Sequence, residues 1–135
     1  YMIDYLTAVL PATHPLAKAD NLPFEQLRGE TFLLFPEHSF INDLCIRECR
    51  NAGFEPHIAY TGNRGATLID LVRNGAGITL MMHHSARQEN DSSLAFIPVT
   101  PGIYSYISLN YAKEKPLSPQ AESFVRYVKA HKRDF

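Results

Sequence analysis

No apolar run among the 135 residues reaches the roughly 18 that a membrane-spanning helix needs, so no membrane partner is expected. No secretory leader opens the chain, and its start at Tyr1-Met2 points to a fragment of something longer. An excess of one charge is also lacking. The 13 Lys and Arg against 14 Asp and Glu leave a net charge of −1, whereas a nucleic-acid footprint would be basic. There is no internal repeat and no low-complexity tract. Cysteine is scarce: the two present, Cys45 and Cys49, stand four apart in an expected helix. One helix face rarely meets disulfide geometry, and free thiols fit a reducing, cytoplasmic setting. Their expected role is that of small, partly buried helix residues. A redox pair or half of a metal site is the competing reading.

The motifs of catalysis are missing as well. The chain has no glycine-x-serine-x-glycine elbow, no phosphate-binding glycine loop and no paired metal-binding histidine motif. His83 and His84 are adjacent, so they point in different directions on a strand or a helix and are poorly set to chelate one metal. Adding Cys45, Cys49 and His57 produces no recognisable zinc spacing. Asp70 has the chemistry of a general base, but it lies off the apolar face of its helix, where solvent suits it better. The expectation is a protein that is not an enzyme and carries no cofactor and no metal.

What is present is a chain of one-domain length with a 45% hydrophobic fraction, enough for a packed core. The stretch from Gly65 to Met81 is its most informative part. Leu68, Leu71 and Val72 recur at helical spacing. Gly75 follows the last periodic residue, where a left-handed cap is usual. Gly77 then permits a close backbone turn into a short buried strand, Ile78 to Met81. With the strand His57 to Thr61 before it, this makes a βαβ unit. Such units present loops and helix N-termini at a sheet edge where ligands bind.

The rest of the chain continues the alternation. Tyr5 to Leu10 reads as a strand ended by Pro11, and Thr13-His14-Pro15-Leu16-Ala17 as a loop. Pro23 to Leu27 forms one helical turn, with Asp20 or Asn21 as the nearest caps and Leu22 packed against Leu27. Thr31 to Phe35 is a strand buried on both faces. A helix opens at His38 or Ser39 and runs through Cys49, with Ile41, Leu44, Cys45 and Cys49 inward, and Gly53 closes it. Ser85 to Asn90 is a short helix, and Leu94 to Val99 and Tyr104 to Tyr111 are strands. Ser118 caps a last helix with Pro119 at its first position and Phe124, Val125 and Val128 inward.

This order resembles the effector-binding domain of LysR-type transcriptional regulators. The resemblance is carried by Leu6 to Leu10 followed by His14-Pro15-Leu16-Ala17, by Leu22 to Leu27 and Thr31 to Phe35, and by Ala52-Gly53-Phe54-Glu55-Pro56. Leu71-Val72-Arg73-Asn74-Gly75-Ala76-Gly77-Ile78 and the serine-capped helix from Leu117 to Val128 complete it. The chain departs from the family at Met81-Met82-His83-His84, where a proline is usual. The family's winged helix-turn-helix and most of its first lobe have no counterpart in the sequence.

The resemblance implies an α/β, periplasmic-binding-protein-like fold, with one complete Rossmann-like lobe and part of a second. Residues 13–105 are then the second lobe of the effector domain. Residues 1–12 and 106–135 are crossover strands and the C-terminal helix of an incomplete first lobe, whose exposed apolar surface favours self-association. It also implies sensing of a small-molecule effector, often an organic anion. DNA would be contacted only through the missing N-terminal domain, and the full-length protein would be a homodimer or homotetramer. A lobe of a periplasmic-type solute-binding or amino-acid-sensing protein is the alternative.

Two places in the sequence suit an anion. The first is the helix start Pro36-Glu37-His38-Ser39-Phe40, whose free amides and dipole attract negative charge, although Glu37 opposes it. Ser39 could bond a carboxylate or simply cap the helix, and His38 adds charge when protonated. The second is Thr61-Gly62-Asn63-Arg64-Gly65, where Thr61 and Asn63 offer neutral hydrogen bonds and Arg64 two parallel donors. Here the competing readings are an ordinary loop residue at Asn63 and a solvated charge at Arg64. Gly77 and Ile78 are counted with the binding residues, although Gly75 and Gly77 also fit a purely backbone role. Phe35 and Phe40 line a pocket or belong to the core, and core is the default for aromatics in this pattern.

Overall fold

The computed structural model describes residues 2–88 and 91–131. Its organising element is β1, Met2–Pro11, in which every residue from Leu6 to Leu10 is buried. A strand with apolar side chains on both faces needs cover on both, and β1 is the centre of an antiparallel set. One flank pairs with β5, Thr79–Met82, and the other with β6, Leu94–Thr100. The first residues of β1 run on beyond this set and pair with β7, Tyr104–Ile107. A two-residue strand β2, Leu22–Pro23, lies parallel to the end of β6.

A second, parallel pair consists of β3, Thr31–Leu34, and β4, His57–Thr61. It joins the larger sheet where Phe32 bridges Ile78 just before β5. There the Leu33 amide donates to the Ile78 carbonyl and the Ile78 amide to the Thr31 carbonyl, both at 2.8 Å. The expected βαβ unit is thus present with β3 between its two strands.

Alternation along the strands divides the core in two. Leu6, Ala8, Leu10, Phe32, Leu34 and Leu80 face one way, toward helix α1, Phe40–Asn51, through its Leu44, Cys45 and Cys49. Val9, Leu33 and Met81 face the other way, toward α2, Gly65–Arg73, and α3, His83–Arg87. The expectation that Thr31 to Phe35 is covered on both faces holds for Phe32, Leu33 and Leu34. In α2 the buried residues are Leu68, Ile69 and Val72, and the expected Leu71 is only half-buried. Gly53 and Gly75 take positive φ, at 85° and 78°, just past the ends of α1 and α2.

Several expectations need correction. The turn at Phe24–Leu27 is a 3-10 helix with no side-chain cap. Asn21 instead accepts a 3.3 Å bond from the Thr100 hydroxyl, because β2 is drawn alongside β6. The strand expected from Tyr104 to Tyr111 stops at Ile107, where its pairing with β1 runs out. The expected helix Ser85 to Asn90 begins two residues earlier, and Glu89 and Asn90 lie outside the described residues. Helix α4, Pro119–Ala130, is capped by Ser118 as expected, with the Ala121 amide donating to its hydroxyl at 3.2 Å. Yet no residue of α4 is buried: Val125 and Val128 are half-buried and Phe124 is 57% exposed. Its apolar stripe has no full cover among the described residues, and without cover periodicity alone cannot turn a side chain inward.

Candidate functional site

The C-terminal ends of β3 and β4 lie side by side. Leu34 is paired with Thr61, and the Gly62 amide continues the ladder to the Leu34 carbonyl at 3.0 Å. From this edge each strand turns into a helix start, β3 into α1 and β4 into α2. The two stretches singled out in the sequence, Pro36 to Phe40 and Thr61 to Arg64, are therefore neighbours in space.

The turn from β3 into α1 is tightly held. The Ser39 amide bonds the Pro36 carbonyl at 3.1 Å, and His38 between them adopts a left-handed φ of 65°, uncommon for a residue with a side chain. Ser39 is a cap, its hydroxyl accepting from the Asn42 amide at 3.3 Å. A hydroxyl that accepts still has its own proton to donate, so the cap does not exhaust it. Asn42 was not singled out in the sequence. It is buried, and its side-chain amide donates to the Phe35 carbonyl at 2.8 Å, tying the strand end to the first helical turn. The signal was a polar residue on the inward side of an otherwise apolar helix face. Phe40 is 67% exposed at the first position of α1, so the core default fails for it. Phe35 is half-buried against the α2 side of the core, beneath Gly65.

The turn from β4 into α2 is more open. Arg64 occupies the cap position in extended conformation, and its side chain makes no capping bond. Its carbonyl accepts from the Thr67 and Leu68 amides at 3.1 and 3.3 Å. The leading amides of a helix without a side-chain cap are available to an anion. Thr61, Asn63 and Arg64 are exposed. Gly62 lies against a second residue the sequence reading missed, Tyr60. A Cβ at position 62 would come within 2.7 Å of the Tyr60 ring, which folds back over it. The edge thus gathers two helix N-termini, one guanidinium, one imidazole, three neutral hydrogen-bonding groups and two exposed aromatic rings, together with the exposed Glu37 carboxylate, which opposes an anion.

Gly77 and Ile78 are not brought to this edge. Ile78 pairs with Phe32, at the start of β3 rather than its end, and is 1% exposed within the core. A side chain at Gly77 would collide with the Thr31 carbonyl oxygen. Gly77 borders a separate cavity of about 220 Å³ with Pro11, His14 and Glu30. There His14 Nε2 lies 2.9 Å from Glu30 and its Nδ1 accepts the Leu16 amide at 3.1 Å, which fixes the His-Pro-Leu turn.

The departure at Met82-His83-His84 also has a structural account. The His83 ring stacks on Tyr5 with centroids 4.3 Å apart, and its Nδ1 is 3.2 Å from the Thr7 hydroxyl. The His84 amide donates to the buried Asp4 carboxylate at 3.1 Å. Burial, with help from Arg87, holds the His83 imidazole below its ordinary pKa. Cys45 and Cys49 are free and buried. Burial raises both thiols, Cys49 to about 12, which keeps them protonated and unreactive. Among the described residues no three His, Cys, Asp or Glu side chains could hold a metal ion, and no helix is long and apolar enough to cross a membrane.

Against known proteins, the family model described as LysR substrate binding domain matches residues 3–133. The transcriptional dual regulator GltC of Bacillus subtilis is 30% identical over 126 residues, 93% of this chain and 42% of the relative. Among solved structures, the Synechocystis CcmR regulatory domain in complex with 2-PG superposes with a TM-score of 0.79 at 17% identity, over 100% of this chain and 66% of that one. The BenM effector-binding domain with its effector benzoate superposes with a TM-score of 0.61 at 23% identity, over 76% of this chain and 50% of that one. Both likenesses concern the periplasmic-binding-protein-like fold. The chain spans less than half the length of the curated relatives it matches first.

Proposed function

This chain belongs to the family of LysR substrate-binding domains, and from that premise we propose that it senses a small organic anion for a transcriptional regulator. The observation that carries the reading is the meeting of the α1 and α2 N-termini at the ends of two parallel strands. Aligned peptide dipoles and open amides favour negative charge there. Arg64 supplies a two-pronged grip on a carboxylate, and His38, Ser39, Thr61 and Asn63 supply further bonds. Pro36, Gly62 and Phe40 shape the walls. Gly77 and Ile78, at the far end of β3, set the backbone rather than touch the ligand. Benzoate, the effector of the similar BenM domain, is an organic anion of this kind.

Residues 13–105 form the lobe that carries this edge. The resemblance assigns residues 1–12 and 106–135 to the opposing lobe, but Leu6 to Pro11 of β1 pair with β5 and β6 and pack in their core, so among the described residues only the start of β1, beside β7, runs toward that lobe. The exposed Tyr106, Ile107 and Phe124 fit a segment that faces further protein, since such apolar surface suits burial. The effector acts by differential affinity for two arrangements of the lobes, and DNA is contacted by a part of the regulator outside this chain. The regulator is a homodimer or homotetramer working in the cytoplasm, where free thiols such as Cys45 and Cys49 are stable.

The test is thermal-shift screening of the chain against small organic acids and amino acids. A ligand held at about a hundred times its Kd adds roughly 2.7 kcal/mol. A concentration-dependent rise with one class of acid, lost in Arg64→Ala without a change in the unliganded melting temperature, supports the reading. A rise equally large in Arg64→Ala removes this edge as the site.

A further inference from the structure

A separate cavity of about 370 Å³ lies beside α3 and against β6. It is lined by His83, Arg87, Asp91, Ser92, Leu94 and Phe96, none of which belongs to the edge formed by β3 and β4. Its volume falls within the range of small-molecule pockets, roughly 300–1,000 Å³. Its lining has a definite polarity. Leu94 and Phe96 give an apolar floor that continues the core under α2 and α3. The His83 ring forms a flat wall held in place by Tyr5 and Thr7.

Among the described residues the charged groups divide into one with ion-pair partners and one without. Asp91 is engaged: Arg73 Nε lies 2.5 Å from its carboxylate, and the Ser93 amide donates to it at 2.8 Å. These bonds hold its pKa down at about 2, so it stays an anion already matched by a cation. Arg73 also pairs with Asp70. Arg87 has no ion-pair partner among the described residues. A guanidinium presents two parallel donors that match a carboxylate, and Ser92 also lines the cavity. A cationic ligand would find Asp91 occupied and Arg87 opposed to it. A compact dianion would face a single cation and an apolar floor.

We propose that this cavity is a second small-molecule site, which binds a monocarboxylate with a flat apolar body. The carboxylate lies on Arg87 and Ser92, and the body lies on Phe96 and Leu94 beside the His83 ring. The site is independent of the effector edge and does not require that reading to hold.

Sodium phenylacetate, titrated into the chain and followed by amide chemical shifts and calorimetry, is the test, with 2-phenylethanol as its uncharged counterpart. The expected result is saturable shifts centred on residues 87, 92 and 96. Affinity should fall by about tenfold or more in Arg87→Gln, stay unchanged in Arg64→Ala, and be weaker for 2-phenylethanol. Arg87 is exposed, so the variant should melt with the parent. Four results would overturn the proposal: no saturable binding, equal affinity in Arg87→Gln, equal affinity for the alcohol, or shifts confined to 61–64 that disappear in Arg64→Ala. A fifth is movement of the 87–96 signals with protein concentration alone, which would make the cavity a contact between copies.

Discussion

The side-chain amide of the buried Asn42 donates to the main-chain carbonyl of the half-buried Phe35 at 2.8 Å, where β3 passes into α1. This bond holds the turn that carries His38 and Ser39. Removing the amide in Asn42→Ala leaves the Phe35 carbonyl without its partner, which costs about 1–3 kcal/mol. Ser39→Ala loses only an N-cap, about 1 kcal/mol. Urea denaturation of the two variants should rank Asn42→Ala as the more damaging. The reverse order would show that the cap, not the buried amide, fixes the turn.

Gly77 and Gly62 should respond very differently to alanine. At Gly77 the added carbon meets the backbone oxygen of Thr31, which is fixed by the junction of β3 with β5, so Gly77→Ala should destabilise by about 1–3 kcal/mol. At Gly62 the obstacle is the ring of Tyr60, which is 41% exposed and free to swing outward. Gly62→Ala should therefore cost little stability and alter ligand affinity instead. Denaturation midpoints together with an effector titration separate the two outcomes.

His83 gives a pH dependence of known sign. Its folded pKa lies below the ordinary 6.5, so the unfolded chain takes up the proton first as pH falls. Its contribution to stability is complete above about pH 6.5 and is lost as pH falls through the folded value. Between pH 7 and 5, His83→Gln should lose less stability than the parent. Urea midpoints across that range test this, and parallel curves would mean that His83 does not titrate between the two states.

Phe124 projects from α4 with most of its ring exposed, so Phe124→Ser should change monomer stability by no more than about 0.5 kcal/mol. If the exposed aromatic face drives self-association, the same substitution lowers the sedimentation-derived association constant. An unchanged constant would remove α4 from that contact.

The sequence was legible wherever short-range physics decides the outcome. The span of β4, the cap at Ser39, the positive-φ glycine at position 75 and the Ser118-Pro119 start of α4 follow from alternation, side-chain capping and backbone sterics, which act within a few residues. Local pattern likewise marked both stretches of the candidate edge, and the order of strands and helices identified the family. The register of β3 against Ile78 lay beyond it. That register keeps Gly77 and Ile78 from the edge where β3 and β4 end. The tertiary structure also decided that Asn42 faces Phe35 and that Tyr60 covers Gly62. It gave the His84 amide a carboxylate 80 residues away in Asp4. It left Phe40 and Phe124 exposed where periodicity and composition pointed inward. An amphipathic pattern states that a face needs burial, but only the packed chain determines whether anything is there to bury it.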